Sequence, residues 1–182
     1  MRAGAFLGRL WRDRSGVAAA EMILILPLAT FMVFATVEAG HFMYTEHEVM
    51  KSVRDAARWG SRQPLSAFGC TATSADAALP SDTSTLGTIR TNISTLARYG
   101  QLSTDAPLLV AGWQDSDITV TYACEQVNAT ASDSGIYTGT AGYAPRITVV
   151  GTPSYPTLFG TMAAFPATMK LFAKQQAVVA GV

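Results

Sequence analysis

The sequence predicts an α+β protein in which a long N-terminal helix, first apolar and then amphipathic, leads into a small head of a few antiparallel strands and one or two short helices. Two changes of pattern along the chain predict this. An apolar run beginning at Val17 passes without a turn signal into a helical stripe, and beyond Gly112 the pattern changes to the alternation typical of strands. The chain has 182 residues and a formal net charge of +0, so it accommodates one modest domain beside such a helix and does not favour nucleic acid as a partner.

The apolar segment over residues 17–37 has the length of a membrane-spanning helix. At 1.5 Å per residue it spans roughly 31 Å, enough for the hydrocarbon core of a bilayer. The residues before it carry four arginines against one aspartate, and such a basic flank predicts that the N-terminal side stays cytoplasmic while the rest is exported. We therefore expect a cytoplasmic leader over residues 1–16, a transmembrane helix over 17–40, and a periplasmic head.

A carboxylate and a proline lie inside this apolar segment. Charged side chains at membrane depth are costly and usually functional. A cut between Gly16 and Val17 explains Glu21, because the new amino group would lie one helical turn away and Glu21 could pair with the amine of a neighbouring subunit to set the helix register. The alternative is a carboxylate at headgroup level, favoured by the helix N-terminus. Pro27 is predicted to kink the helix. A secretory signal cleaved near Ala39 is the competing interpretation of the segment.

The helix is predicted to continue out of the membrane as an amphipathic segment over residues 41–62. Apolar or small side chains recur there at helical spacing, at Phe42, Val49, Val53, Ala56 and Gly60. Pro64 follows and is expected to end the run. The remainder, residues 63–182, is expected to form the periplasmic head, beginning with a linker over residues 63–81 that is rich in Ser, Thr and Ala.

One helix and three strands are predicted within the head. The helix is expected to be capped by Ser81 or Asp82 and to end at Gly100. The predicted strands cover residues 118–122, residues 146–150 with Pro145 and Pro153 as bounds, and residues 171–179. Residues 128–143 are expected to form a broad hairpin loop, and residues 154–169 a loop with a short helix that covers the sheet.

The two cysteines, Cys70 and Cys124, both lie on the side predicted to be exported. In an oxidising compartment they are expected to pair as a disulfide. Two buried free thiols are the alternative. No Cys-x-x-Cys or Cys/His cluster is present, so the sequence predicts no zinc site.

Titratable side chains cluster just after the apolar segment. His41, Glu46, His47 and Glu48 do not have the spacing of metal ligands on one helix face, so a solvated face is expected there and no metal site. Glu38, at the membrane exit, is predicted to be interfacial, with a contact to a partner as the alternative.

Two arginines further along the same helix are candidate partner contacts. Arg54 and Arg58 lie four residues apart and repel each other unless an anionic headgroup or an acidic neighbouring subunit binds them; a salt-bridged, solvated face is the alternative. No nucleophile elbow, phosphate loop or paired-acid motif occurs anywhere in the sequence. We therefore expect no enzymatic activity, no cofactor and no small-molecule substrate.

Four separated motifs resemble one known family, the TadE/TadG-like pseudopilins of the bacterial tight-adherence (Flp-type) pilus system. The motifs are Arg-Asp-Arg-Ser-Gly-Val-Ala-Ala-Ala-Glu-Met at residues 12–22, Leu-Pro-Leu at 26–28, Glu-Ala-Gly at 38–40 and Arg-Asp-Ala-Ala-Arg-Trp-Gly at 54–60. They agree with the family pattern in order and spacing over residues 9–62. Beyond residue 63 the head resembles the family only in general character, with strands, small polar residues and a closing strand.

The resemblance implies a prepilin-type substrate that a membrane aspartic peptidase, the prepilin peptidase, cuts between Gly16 and Val17. The mature subunit would be a minor component or assembly factor of the pilus, with other pilin or pseudopilin subunits and the assembly platform as its partners. It would not be a catalyst. The alternative is an unprocessed, single-pass membrane-anchored periplasmic module that binds a partner.

Overall fold

The computed structural model describes residues 15–127, 135–160 and 169–181. Their architecture is α+β, as predicted from the sequence. The elements are helices α1 (Ser15–Gly60) and α2 (Thr85–Tyr99) and strands β1 (Ala77–Ala78), β2 (Ile118–Gln126), β3 (Tyr143–Gly151) and β4 (Ala173–Val178). Short 3₁₀ turns at Leu65–Ala67, Asp115–Asp117 and Gly135–Thr140 connect them.

Helix α1 is continuous, and its two halves have opposite environments. Large apolar side chains of the N-terminal half, from Val17 to Val37, are exposed, whereas Val49 and Val53 in the C-terminal half are fully buried in the head. Within the described residues, the segment Ala19–Gly60 is the one helix long and apolar enough to cross a membrane. The protein thus has a single candidate membrane anchor in the part of the chain that is described.

Helix α2 starts later than predicted. Its N-cap is Ser84, whose Oγ accepts a hydrogen bond from the Gly87 N–H at 3.2 Å, so neither Ser81 nor Asp82 caps the helix. Asp82 instead accepts hydrogen bonds from the backbone N–H and the hydroxyl of Ser84 and thereby orients the cap. The predicted end is confirmed, because Gly100 is the C-cap with φ +70°.

The four strands form an antiparallel meander in the order β1-β2-β3-β4. Each of the three predicted strand segments lies within or overlaps one of the strands β2, β3 and β4. The two-residue strand β1 was not predicted; it lies within the expected linker and pairs Ala77 with Tyr122. Of the expected hairpin loop between β2 and β3, residues 128–134 lie outside the described residues, as do residues 161–168 of the expected covering loop.

Pro145 lies inside strand β3 and does not bound it, which corrects the prediction. The register that pairs Arg146 with Val178 brings Pro145 opposite Val179, and the Val179 N–H donates to the Pro145 carbonyl at 2.8 Å. Proline has no N–H to return the second bond. The Tyr137 hydroxyl donates to the Val179 carbonyl at 2.9 Å in its place. Because the hydroxyl replaces the missing backbone donor, a proline can occupy a paired position near the end of a strand.

Both helices pack on one face of the sheet and form the core with it. Gly60 is buried, and a Cβ there would lie 3.0 Å from Ile93 Cδ1 and 3.1 Å from Ile147 Cδ1. Ala56 and Ala57 of the same helix are likewise fully buried. These small side chains allow the end of α1 to approach α2 and the sheet closely.

The predicted disulfide is present between Cys70 and Cys124, whose Cα atoms are 5.7 Å apart. It ties the segment after α1 to strand β2. The same segment is also held by hydrogen bonds, since Ser74 N–H donates to the Cys124 carbonyl at 3.0 Å and Ser74 Oγ accepts from the Cys124 N–H at 3.0 Å. The covalent and hydrogen-bonded links together fix this edge of the head.

Candidate functional site

Glu38 is the least expected side chain of the structure, because it is a carboxylate with 0% of its surface exposed. It lies on α1 immediately after the apolar residues 17–37. Burying an ionised carboxylate costs several kcal/mol unless hydrogen bonds replace the lost water. The partners of Glu38 therefore matter for how the helix and the head are held together.

Three groups from the segment after β3 donate hydrogen bonds to this carboxylate. The Tyr155 hydroxyl donates to Oε1 at 2.8 Å. The Leu158 N–H lies 3.1 Å from Oε1 and 3.2 Å from Oε2, and the Phe159 N–H lies 3.0 Å from Oε2. We call Glu38, Tyr155, Leu158 and Phe159 the carboxylate clasp. Because each carboxylate oxygen accepts at least two bonds, the clasp replaces the hydration that burial removed.

Tyr155 connects the clasp to the next turn of α1. Its hydroxyl lies 2.9 Å from Nδ1 of His41. Since the hydroxyl proton is directed to Glu38, the consistent arrangement has Nδ1–H of His41 donating to the Tyr155 oxygen. Burial, and then the hydrogen bond and charge of Glu38, raise the pKa of Tyr155 well above its usual value of 10.0. The phenol therefore remains a donor at every physiological pH.

Aromatic rings enclose the clasp on both sides along the helix. The Phe159 ring packs on Phe34 with ring centroids 4.8 Å apart. About two turns further along, Phe42 meets Tyr155 edge-on, with ring centroids 5.2 Å apart and an interplanar angle of 77°. Such pairs are worth about 0.5–1.5 kcal/mol beyond the area they bury. The contacts exclude water from the carboxylate and strengthen its hydrogen bonds.

The hydrogen bonds of the clasp attach the helix to the head and form no catalytic or metal-binding arrangement. The described residues contain no group of three or more His, Cys, Asp or Glu side chains that could hold a metal ion. Every donor to Glu38 is a neutral hydroxyl or backbone N–H from residues more than 110 positions away in the chain. The clasp thus fixes the helix to the head at the level where the apolar segment ends.

The residues predicted for processing lie at the start of α1, far from the clasp. Gly16 and Val17 are exposed in its first turn, and a Cβ at Gly16 would meet nothing within 4 Å. Glu21 is also exposed, one turn further along. Pro27 lies in the interior of the continuous helix. The roles predicted for these residues stay predictions.

Arg54 and Arg58 are exposed on the part of α1 that packs on the head. Neither side chain makes an ion pair with any of the described residues. Their assignment as partner contacts also stays a prediction.

The clasp was missed by sequence reasoning, which assigned Glu38 to the interface. The signals that could have found it were an acidic residue directly after an apolar segment and the uncharged stretch over residues 151–160, rich in Pro and aromatic residues. Nothing local links the two, since the pairing is created by tertiary structure.

Comparisons with known proteins match the first part of the chain. The family model described as TadE-like protein matches residues 16–58. The matched range begins at the glycine of the predicted cut and ends two residues before the end of α1, and it contains Glu38. No curated protein and no solved structure matches the chain. Over residues 16–58 the chain is similar to the TadE-like family of pilus-associated membrane proteins, as the sequence motifs indicated.

Proposed function

We propose that the protein is a minor pseudopilin or assembly protein of a tight-adherence (Flp-type) pilus that acts through lateral association of its N-terminal helix. One observation carries the proposal: α1 is unbroken from Ser15 to Gly60, with an apolar half that the head leaves exposed and a second half buried within the head. Such a helix joins a membrane segment rigidly to an exported head. A pilus subunit requires this rigid link whether it leaves the membrane during assembly or stays in it. The match to the TadE-like family supports it.

The proposed topology is a single pass through the inner membrane, with the N-terminus in the cytoplasm and the head in the periplasm. The basic leader supports this orientation through the positive-inside rule. The Cys70–Cys124 disulfide supports an oxidising compartment for the head.

Processing by a prepilin peptidase between Gly16 and Val17 is part of the proposal. The test is N-terminal sequencing of protein recovered from its native membranes, for the wild type, Gly16→Leu and Gly40→Leu. Gly40 is the matched control, because it lies in the same helix and a Cβ there also meets nothing within 4 Å. We expect a chain beginning at Val17 in the wild type and in Gly40→Leu, and an uncut chain in Gly16→Leu.

A chain that still begins at Met1 in all three proteins would contradict processing and favour the unprocessed membrane-anchored module. A start near Ala39 would favour a cleaved secretory signal. The clasp argues against that last alternative, since such a cut would remove Glu38 and leave the N–H groups of Leu158 and Phe159 without their acceptor.

Glu21 is proposed to set the register between neighbouring helices. Its carboxylate would form an ion pair with the charged amino group of Val17 in another subunit. The support is its position, exposed in the apolar half of α1, where an unpaired charge is costly. The test is photo-crosslinking in native membranes from a probe at Leu24, comparing Glu21→Gln with Glu46→Gln. We expect crosslinks to other pilin-class subunits to be lost in Glu21→Gln alone; equal crosslinking in both variants would refute the registration role.

A further inference from the structure

We propose that residues 155–160, which we call the interfacial loop, form a second contact with the lipid bilayer at the headgroup level of the leaflet on the head side. The inference rests on one part of the proposed function, that the apolar half of α1 spans a membrane. It adds that the head does not merely follow the helix out of the bilayer. The head rests on the lipid surface through this loop.

The depth of the loop along α1 supports this contact. Phe159 packs on Phe34, with ring centroids 4.8 Å apart. Phe34 lies three residues before the end of the apolar residues 17–37, which is about 4.5 Å back along the helix axis towards the bilayer. The Phe159 end of the loop therefore lies where the hydrocarbon region meets the headgroups.

The side chains of the loop also suit a lipid surface. No charged residue occurs in residues 151–160. Leu158 leaves 53% of its surface exposed, and its N–H lies against Glu38, directly after the apolar residues 17–37. Aromatic and aliphatic side chains of this kind favour the membrane interface. The loop thus presents an exposed apolar side chain close to the level where the apolar segment ends.

The backbone of the loop is suited to this position as well. A loop near hydrocarbon is tolerated only where its polar groups have partners within the protein. The Leu158 and Phe159 N–H groups donate to the Glu38 carboxylate at 3.0–3.2 Å, so they do not depend on water. This gives Glu38 a role at the membrane exit, because it satisfies the two N–H groups nearest to the lipid.

An exposed aromatic residue elsewhere on the head provides a matched comparison. Phe172 leaves 61% of its surface exposed, slightly more than Leu158, but it lies beside Met50 and Arg54 of α1. These helix residues follow Glu38 by 12 and 16 positions, roughly 18–24 Å further from the bilayer. If exposure alone decided lipid contact, the two positions would behave alike.

The experiment uses the full chain reconstituted into nanodiscs made with phospholipids brominated either near the headgroup or in mid-chain. Leu158→Trp, Phe172→Trp and Leu26→Trp are compared, and the emission of the wild type, with its native tryptophans, is subtracted. We expect Leu158→Trp to lose most of its added emission to the shallow bromines. Leu26→Trp should lose it to the mid-chain bromines, and Phe172→Trp should lose none.

The outcomes separate this inference from the membrane anchor on which it rests. Quenching of Leu26→Trp together with equal, negligible quenching of Leu158→Trp and Phe172→Trp would overturn the lipid contact and leave the anchor standing. Absence of quenching at Leu26→Trp would overturn both. Shallow quenching at both Leu158→Trp and Phe172→Trp would also overturn the inference, since the head would then lie on the bilayer without any specific contact.

Discussion

At the scale of single residues, Glu38 combines two requirements that usually conflict. A carboxylate directly after an apolar helix favours water, yet this one is fully buried. Burial is tolerated because the donors around it are fixed by a tyrosine ring and by two consecutive backbone N–H groups. The carboxylate in turn is the only acceptor that the structure gives these two N–H groups among the described residues. Loss of Glu38 would therefore leave donors unsatisfied in addition to removing a contact.

Glu38→Gln is expected to loosen the clasp. The carboxamide keeps one acceptor oxygen but turns an NH₂ group towards backbone donors, so we expect a loss of roughly 1.5–3 kcal/mol in the free energy of unfolding. Hydrogen exchange of residues 155–160 should accelerate in parallel. Both are measured on the protein in detergent micelles. Glu46→Gln, eight positions along the same helix and without a hydrogen bond to any described residue, is the control and should change neither quantity.

Asp115 is expected to make the stability of the head depend on pH in the acid range. It accepts from Arg90 Nη2 at 2.7 Å and from the Ser94 hydroxyl, with Arg98 Nη2 at 3.6 Å. Burial alone would raise the pKa of Asp115, but the hydrogen bonds from Ser94 and Arg90 and the two guanidinium charges lower it below its usual value of 3.8. A carboxyl with a lowered folded-state pKa stabilises the fold fully above the unfolded pKa, and this contribution is lost as the pH falls through the folded pKa.

The expected result is a melting temperature of the head that decreases below about pH 4, and less steeply in Asp115→Asn than in the wild type. Circular dichroism melts over a pH series measure it. The exposed carboxylate variant Asp55→Asn should follow the wild-type curve. Parallel acid profiles for the wild type and Asp115→Asn would show that this network does not contribute to acid unfolding.

At the scale of elements, α1 shows how one helix serves two environments. Its N-terminal half is apolar on all faces, because a helix in a bilayer contacts lipid all round. Its C-terminal half is apolar on one face only, because only that face packs on the head. The buried face is made of small and β-branched residues, among them Val53, Ala56 and Gly60. The sheet and α2 consequently lie close to the helix backbone, and the contact tolerates little added volume.

Gly151, at the end of β3, tests this closeness. A Cβ there would lie 3.0 Å from Val53 Cγ2 and 3.1 Å from Trp113 Cζ2, between two buried side chains. We expect Gly151→Ala to lower the free energy of unfolding by about 1–3 kcal/mol. Denaturant unfolding followed by tryptophan fluorescence measures it. Gly139→Ala, where a Cβ meets nothing within 4 Å, should stay close to the wild type; equal losses in both variants would contradict tight packing at Gly151.

At the scale of the whole molecule, two links hold the head to the helix. The clasp joins α1 to the segment after β3 at the membrane end, and the Cys70–Cys124 disulfide joins the segment after α1 to β2. Between them α1 lies in the core, against α2, β3 and β4. The head is therefore expected to move with the helix as one body.

Removal of the disulfide is expected to destabilise the head without changing its fold. The cysteines are 54 positions apart, and closing a loop of this length stabilises a fold by about 4 kcal/mol in the chain-entropy model. The double variant Cys70→Ser/Cys124→Ser should unfold at a lower denaturant concentration with the same spectrum in its folded state. The wild type treated with reductant is the internal comparison, and a midpoint that does not move in either protein would argue against a stabilising bond.

The features that could be predicted from the sequence are local ones. The extent of α1, the end of α2 at Gly100 and the three longer strands follow from periodicity and from turn residues, which act over a few positions. The α+β class follows from their order. The disulfide was predictable because the chain has two cysteines and both lie on the side predicted to be exported.

Features that depend on contacts between distant parts of the chain were decided by the tertiary structure. Strand β1 is two exposed alanines without strand propensity, and it exists because β2 offers an unpaired edge. Pro145 is tolerated inside β3 because the Tyr137 hydroxyl donates to the Val179 carbonyl, to which proline has no N–H to donate. Glu38 is buried because folding brings the segment after β3 against the membrane exit of α1. Its hydrogen bonds join residues 117–121 positions apart, and the energy that selects such a contact arises only when the fold is complete.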